Sequence, residues 1–139
     1  MGGNTVSRIR QCAVVSGVAM AALVAPAGAQ AASPHWHTID KIAGAKLQVC
    51  KVHVKAGWKI KARVDGRRAT SKTSGLLTVT HKGEPTKRHW TSGWVKAHHV
   101  GKAGSVVLPR KAGYKVMFGI GTSGMGDGGV AGAKKIGRC

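Results

Sequence analysis

Acidic residues are nearly missing from this chain. Against 23 Lys+Arg it has four Asp+Glu, namely Asp40, Asp65, Glu84 and Asp127, giving a formal net charge of +19 at pH 7. That scarcity speaks against a calcium site, which needs several oxygen ligands. It also leaves the cations with almost nothing inside the protein to neutralise them. Aromatic residues are few: four Trp, one Tyr and one Phe. The three cysteines show no CxxC spacing, so they make a poor zinc site. A G-x-S-x-G nucleophile elbow is missing too, which removes the common serine hydrolase arrangement. Helical periodicity is not evident anywhere in the sequence.

What is present begins with an export signal. Arg8 and Arg10 form a positive n-region, Cys12 to Ala25 an apolar Ala/Val-rich stretch, and Ala29-Gln30-Ala31 an A-x-A cleavage site. The apolar stretch is shorter than the roughly 20 residues that cross a bilayer. Residues 1–31 therefore read as a cleaved signal peptide, with an uncleaved anchor as the alternative. Cleavage near Ala31 would deliver a secreted protein with no membrane span. Losing Arg8 and Arg10 takes the formal charge from +19 to +17.

Removing the signal also removes Cys12. Cys50 and Cys139 then remain as the natural disulfide of an exported protein. Two free thiols or an intermolecular bridge are the alternatives. Leu, Ile, Val and Phe are sparse enough beyond residue 31 to raise the question of disorder at this charge. Alternating apolar residues, the tryptophans and a closing disulfide argue for a folded domain.

The segment 32–46, with Pro34, His35, Trp36 and His37, shows little pattern and reads as an irregular leader. From Leu47 the chain reads as strands. In Cys50–Ala56, Cys50, Val52 and Val54 share one face, while Leu47 and Val49 have the opposite parity. This implies a bulge near Cys50 or burial of both faces. In Trp58–Asp65, the clearest strand, Trp58, Ile60, Ala62 and Val64 point one way and Lys59, Lys61 and Arg63 the other. Further strands are expected at 76–82, 94–100, 105–108 and 114–120, with a polar loop at 69–75 and a turn at Gly83-Glu84-Pro85. If Cys50, Val52 and Val54 face the core, a hairpin with 58–65 would set Lys55 against Lys59 and Lys51 against Arg63. Like charges directly opposite are destabilising. The Ala56-Gly57 link is therefore expected to carry the chain between sheets.

Short strands with frequent turns predict an all-β fold, a single small β-sandwich over 47–139. The run Leu108-Pro109-Arg110-Lys111-Ala112-Gly113-Tyr114-Lys115-Val116 resembles the approach to the Tyr-bearing corner of immunoglobulin-like sandwiches, which implies that architecture. An Ala-rich signal, a basic β-rich body and one disulfide from an early strand to residue 139 together resemble small exported proteins of high-GC Gram-positive bacteria. That likeness implies secretion and fold class, and no activity.

Constellations for chemistry are weak. Gly119-Ile120-Gly121-Thr122-Ser123-Gly124 fits G-x-G-x-x-G, but Met125-Gly126-Asp127-Gly128-Gly129 cannot open the helix that a dinucleotide site needs. A flexible glycine loop is the better reading. His35 and His37, or His98 and His99, offer at most adventitious metal binding, and no metal or other cofactor is expected. A secreted nuclease would use Glu84 as base, a histidine such as His89 as acid, and Arg88 or Lys87 as the phosphorane's cation; no spacing requires these to converge. Trp58 and Trp94 are expected in the core. Trp36 and Trp90, set among basic residues, could pack or could stack on bases and sugars.

The resulting expectation is a secreted, monomeric, cationic binding protein without catalytic activity. Its partner would be a polyanion, either nucleic acid or a phosphate-rich, teichoic-acid-like wall polymer, or else an anionic surface. Lys59, Lys61, Arg63, Arg67 and Arg68 are the expected contacts. High charge that serves only solubility is the bland alternative. A nuclease and a protein-binding inhibitor or toxin-like module are the competing functions.

Overall fold

The computed structural model describes residues 33–139, so the export signal expected over 1–31 lies outside the described residues. Eight strands follow one another: β1 His37–Ile42, β2 Ala45–Val54, β3 Gly57–Asp65, β4 Thr73–His81, β5 Glu84–Val95, β6 Gly104–Leu108, β7 Tyr114–Gly121 and β8 Gly126–Ala131. A short 3-10 turn spans Ala133–Lys135. The strands form two antiparallel sheets, ordered β1-β2-β3-β6 and β5-β4-β7-β8. This is the small all-β sandwich that the alternating pattern predicts.

Its strand order is not that of an immunoglobulin domain. There the second and third strands lie in different sheets, whereas here β2 and β3 are a tight hairpin closed at Val54↔Gly57. The expected crossover at Ala56-Gly57 is therefore wrong, and parity is the reason. Leu47 pairs with Val64 and Val49 with Ala62, all of them buried. Leu47 and Val49 thus set the inward face of β2, and Cys50 and Val52 point outward. In this register Lys51 stands opposite Ile60, Val52 opposite Lys59 and Cys50 opposite Lys61, so no two cations oppose one another. Cys50 mimics a core residue because its disulfide, not the core, buries it.

Three other segments differ from expectation. The leader contains β1, which joins β2 through Ala43-Gly44 at φ 45° and 80°, the paired positive values of a type I′ turn. Gly44 is needed there twice over, since a Cβ would also lie 2.0 Å from the Arg68 carbonyl oxygen. The Gly83-Glu84-Pro85 region opens a long edge strand, β5, that ends at Val95 where a strand was expected to begin. The glycine loop is an ordered hairpin, with Thr122 N–H donating to Met125 O at 2.8 Å before β8.

The core lies between the inner faces. Val49, Ile60, Ala62, Val106 and Leu108 of the first sheet meet Leu77, Val79, Val116 and Ala131 of the second, with Ile136 sealing them. A second cluster joins Leu47 and Val64 to Val95 and Ile120. Trp90 and Phe118 pack against both clusters, so these two aromatic residues join them into one core. Trp94, expected inside, is 55% exposed on the outer face of the second sheet. The Cys50 and Cys139 sulfurs are 2.12 Å apart, which is the expected disulfide. Beside them, Lys51 N–H donates to Gly137 O at 2.9 Å and Cys139 N–H to Lys51 O at 3.1 Å. Residues 137–139 thereby extend the first sheet next to β2, in line with the start of β1.

Candidate functional site

A strand alternates its side chains, so β3 presents Lys59, Lys61 and Arg63 on the outer face of the first sheet. Successive members are about 6.6–7 Å apart. Their cross-strand neighbours are Val52, Cys50 and Gln48 on β2, and Val107 and Ser105 on β6 opposite Lys59 and Lys61. No acid lies among these residues. Lys59 is exposed, while Lys61 and Arg63 are half-buried.

The arginines are held in different ways. Arg63 donates from Nε to Gln48 Oε1 at 2.9 Å, and its guanidinium sits 4.6 Å from the centre of the Trp36 ring. Burial pushes its pKa down, opposed by the Asp65 charge and reinforced by Arg67. Arg67 grips Asp65 through Nη2–Oδ2 at 2.7 Å and Nε–Oδ1 at 2.9 Å. The Asp65 carboxyl titrates at about 2 chiefly because of that side-chain bond, with burial opposing it and the Arg67 backbone N–H helping. The same bond raises Arg67. Arg67 therefore has its charge partner within the protein.

Arg68 has no such partner among the described residues. It lines a depression of about 310 Å³ with Lys41 and Lys46, which oppose each other directly across the β1–β2 hairpin. The structure thus brings Lys59, Lys61 and Arg63 onto one face and places Arg67 and Arg68 in the loop beyond its end. It adds Lys41 and Lys46, which sequence pattern did not single out.

At the opposite end of β3 lies a cleft of about 460 Å³ lined by Lys51, Val52, His53, Trp58, Arg110, Arg138 and Cys139. Lys51 Nζ is 4.9 Å and Arg110 Cζ 5.0 Å from the centre of the Trp58 ring. His53 meets that ring edge-on at 5.4 Å. Lys51 Nζ also donates to the Ala133 carbonyl oxygen. Sequence reasoning missed this group because its members come from three distant segments. Only the Cys50–Cys139 pairing hinted that residue 138 returns to β2.

The outer face of the second sheet contrasts with all this. Trp94, Leu76, Met117 and Val130 are exposed there among Ser74, Thr78, Thr91, Gly119 and Gly128, with Lys115 at one end and Lys72 Nζ 5.3 Å from the centre of the Trp94 ring at the other. The nuclease group is not assembled. Glu84 opposes His81 at the hairpin end of β5, while His89 opposes Thr78. Five residues along a strand separate the two by roughly 17 Å. Arg88 lines a separate depression with Tyr114. Among the described residues no three of His, Cys, Asp or Glu gather as a metal site, although the His35 and His37 rings lie 4.7 Å apart. Gly119–Gly124 runs from β7 into a turn, without a helix.

No protein-family model, curated protein or solved structure matches this chain.

Proposed function

We propose that this is a secreted, non-catalytic domain whose first sheet binds a phosphorylated polyanion. One observation carries the reading: cations are segregated by face. The outer side of β3 and its two flanking ends are cationic, while the outer side of the second sheet carries cations only at its ends, Lys115 at one and Lys72 over Trp94 at the other. Charge that served solubility alone would have no reason to avoid one sheet. A row of cations spaced at strand intervals suits a repeating phosphate chain and reads no base edges, so it favours affinity over sequence specificity. Binding driven this way weakens steeply with salt.

The test is titration of the purified protein, without its signal, against a DNA oligomer and a poly(glycerol phosphate) of matched charge over a salt series. Steep salt dependence with both supports a shared phosphate chemistry, and a preference for one identifies the polymer. Absence of binding to either at low salt overturns the reading. Secretion is part of the proposal and is checked by N-terminal sequencing of the exported chain, which should begin near Ala32.

A second reading has its own support. Trp94 and Val130, each more than half exposed, share an outer face with Leu76 and Met117. Aromatic and Met side chains are enriched at protein interfaces. An inhibitor or toxin-like module would use this face. Inhibition of a target cell that Trp94→Asp abolishes, with polyanion binding unchanged, would establish it.

A further inference from the structure

Resting on the polyanion reading, we propose that the Trp58 cleft is a terminal-phosphate site. It takes the phosphomonoester at the end of a polyanionic chain whose phosphodiesters lie along Lys59, Lys61 and Arg63. The wall of the cleft holds Lys51, His53, Arg110 and Arg138 and no acidic side chain. Like charges brought together repel, and one indole ring returns only about 0.5–1 kcal/mol for each exposed cation it faces. Trp58 therefore offsets part of the cost of placing Lys51 and Arg110 together, and an anion would supply the rest.

The donors suit a dianion. Arg110 and Arg138 offer guanidinium forks, which match phosphate oxygens in pairs. Lys51 keeps two N–H donors after its bond to Ala133 O. His53 adds a ring nitrogen at the rim. The apolar parts of the wall, Trp58, Val52 and the disulfide at Cys139, exclude water from one side and strengthen each charge contact.

Position distinguishes this cleft from the face it adjoins. Val52, part of its wall, is the cross-strand neighbour of Lys59. The cleft thus stands at the end of β3 next to Lys59, but Lys51, His53 and Trp58 carry the opposite parity to the row, so the chain end turns round the β2–β3 hairpin to enter it. Its backbone is fixed in advance: residues 137–139 are pinned to β2 by two backbone hydrogen bonds and the disulfide, and His37 Nε2 donates to the Arg138 carbonyl oxygen at 3.1 Å. Arg138 is presented from an anchored segment, so little ordering is needed when a ligand arrives. A phosphodiester inside a chain carries one negative charge and two free oxygens. A phosphomonoester carries nearly two and has three free oxygens.

The experiment compares short single-stranded DNA oligomers of identical sequence with a 5′-phosphate or a 5′-hydroxyl, by fluorescence anisotropy at low salt. Tighter binding of the phosphorylated oligomer is expected, by about tenfold, the size of one charge-assisted hydrogen bond. Arg110→Gln should bring the ratio of the two affinities to about one, whatever it does to the 5′-hydroxyl oligomer's own affinity, and Arg110→Lys should restore part of the preference. Inorganic phosphate should compete away the preference alone. Equal affinity of the wild-type protein for the two oligomers overturns the terminal-phosphate site while leaving polyanion binding intact. If neither oligomer nor poly(glycerol phosphate) binds, the polyanion reading fails and this site fails with it.

Discussion

Asp65 and Arg67, two residues apart at the end of β3, form a two-point ion pair in which the carboxylate is buried and the guanidinium side chain is 64% exposed. The carboxyl of Asp65 is held at about 2, below its ordinary 3.8. A depressed carboxyl contributes stability above its unfolded pKa and loses it as pH falls through the folded one. Stability should therefore be level down to about pH 4 and decline between about 4 and 2. Because Arg67 is so exposed, the contribution is about 1 kcal/mol, less than the shift alone would give. Urea unfolding of the wild type and Asp65→Asn across this range checks it. The variant should lose most of that acid slope.

The disulfide should be the largest single contributor to stability. It joins positions 89 residues apart, and closing so long a loop is worth roughly 4–5 kcal/mol in the chain-entropy model. A domain of this size with a sparse apolar core has little margin beyond that. Cys50→Ser with Cys139→Ser is expected to unfold in far less urea than the parent, or to be unfolded at 37 °C. Unchanged unfolding on reduction would show that the cross-link is dispensable.

Trp90 and Trp94 should behave as opposites although they share a strand. Trp90→Ala empties space between two core clusters and should cost about 3–5 kcal/mol. Trp94→Ala, on the exposed face, should change stability by no more than about 0.5 kcal/mol. Gly104→Ala tests the same packing from the other side, since its Cβ would fall 2.0 Å from Trp90 Nε1. A loss of about 1–3 kcal/mol is expected from that overpacking. Thermal melts of the three variants give the comparison.

Face selectivity can be read from salt slopes. Each phosphate that a cation neutralises adds about 0.7–0.9 to the slope of log affinity against log salt. Lys59→Ala with Lys61→Ala should therefore reduce that slope by about 1.4–1.8. Lys115→Ala, on the second sheet, should leave it unchanged. Equal effects from the two sheets would falsify binding by a particular face.

Much of this fold is legible where a strand has one wet and one dry side. Trp58 to Asp65 alternates cleanly, and its outward cations stand on the face that the alternation predicts. Sequence pattern misleads where burial has a cause other than the core. Cys50 is buried by Cys139, 89 residues away, so its parity points the wrong way and hides the β2–β3 hairpin. β8 escapes notice because Gly126, Gly128 and Gly129 carry no side chain from which a period could be read. β5 does so because it is an edge strand, where Pro85, Lys87 and Arg88 are tolerated and the alternation breaks down at its bulges. The Trp58 cleft needs the tail, the β6–β7 loop and β2 in one place, and no local pattern encodes that meeting.

The anchoring of residues 137–139 against β2 also has a temporal side. β2 is among the first strands made, yet its covalent tie and part of its lateral hydrogen bonding wait for residue 139. Contacts of such sequence separation form late, because the intervening chain must first be closed into a loop. A chain synthesised from its N-terminus therefore stays pliable at β2 until residue 139 has emerged. For a chain exported as proposed, threaded through a membrane pore before it folds, this lateness keeps the passage open and locks the sandwich on the far side.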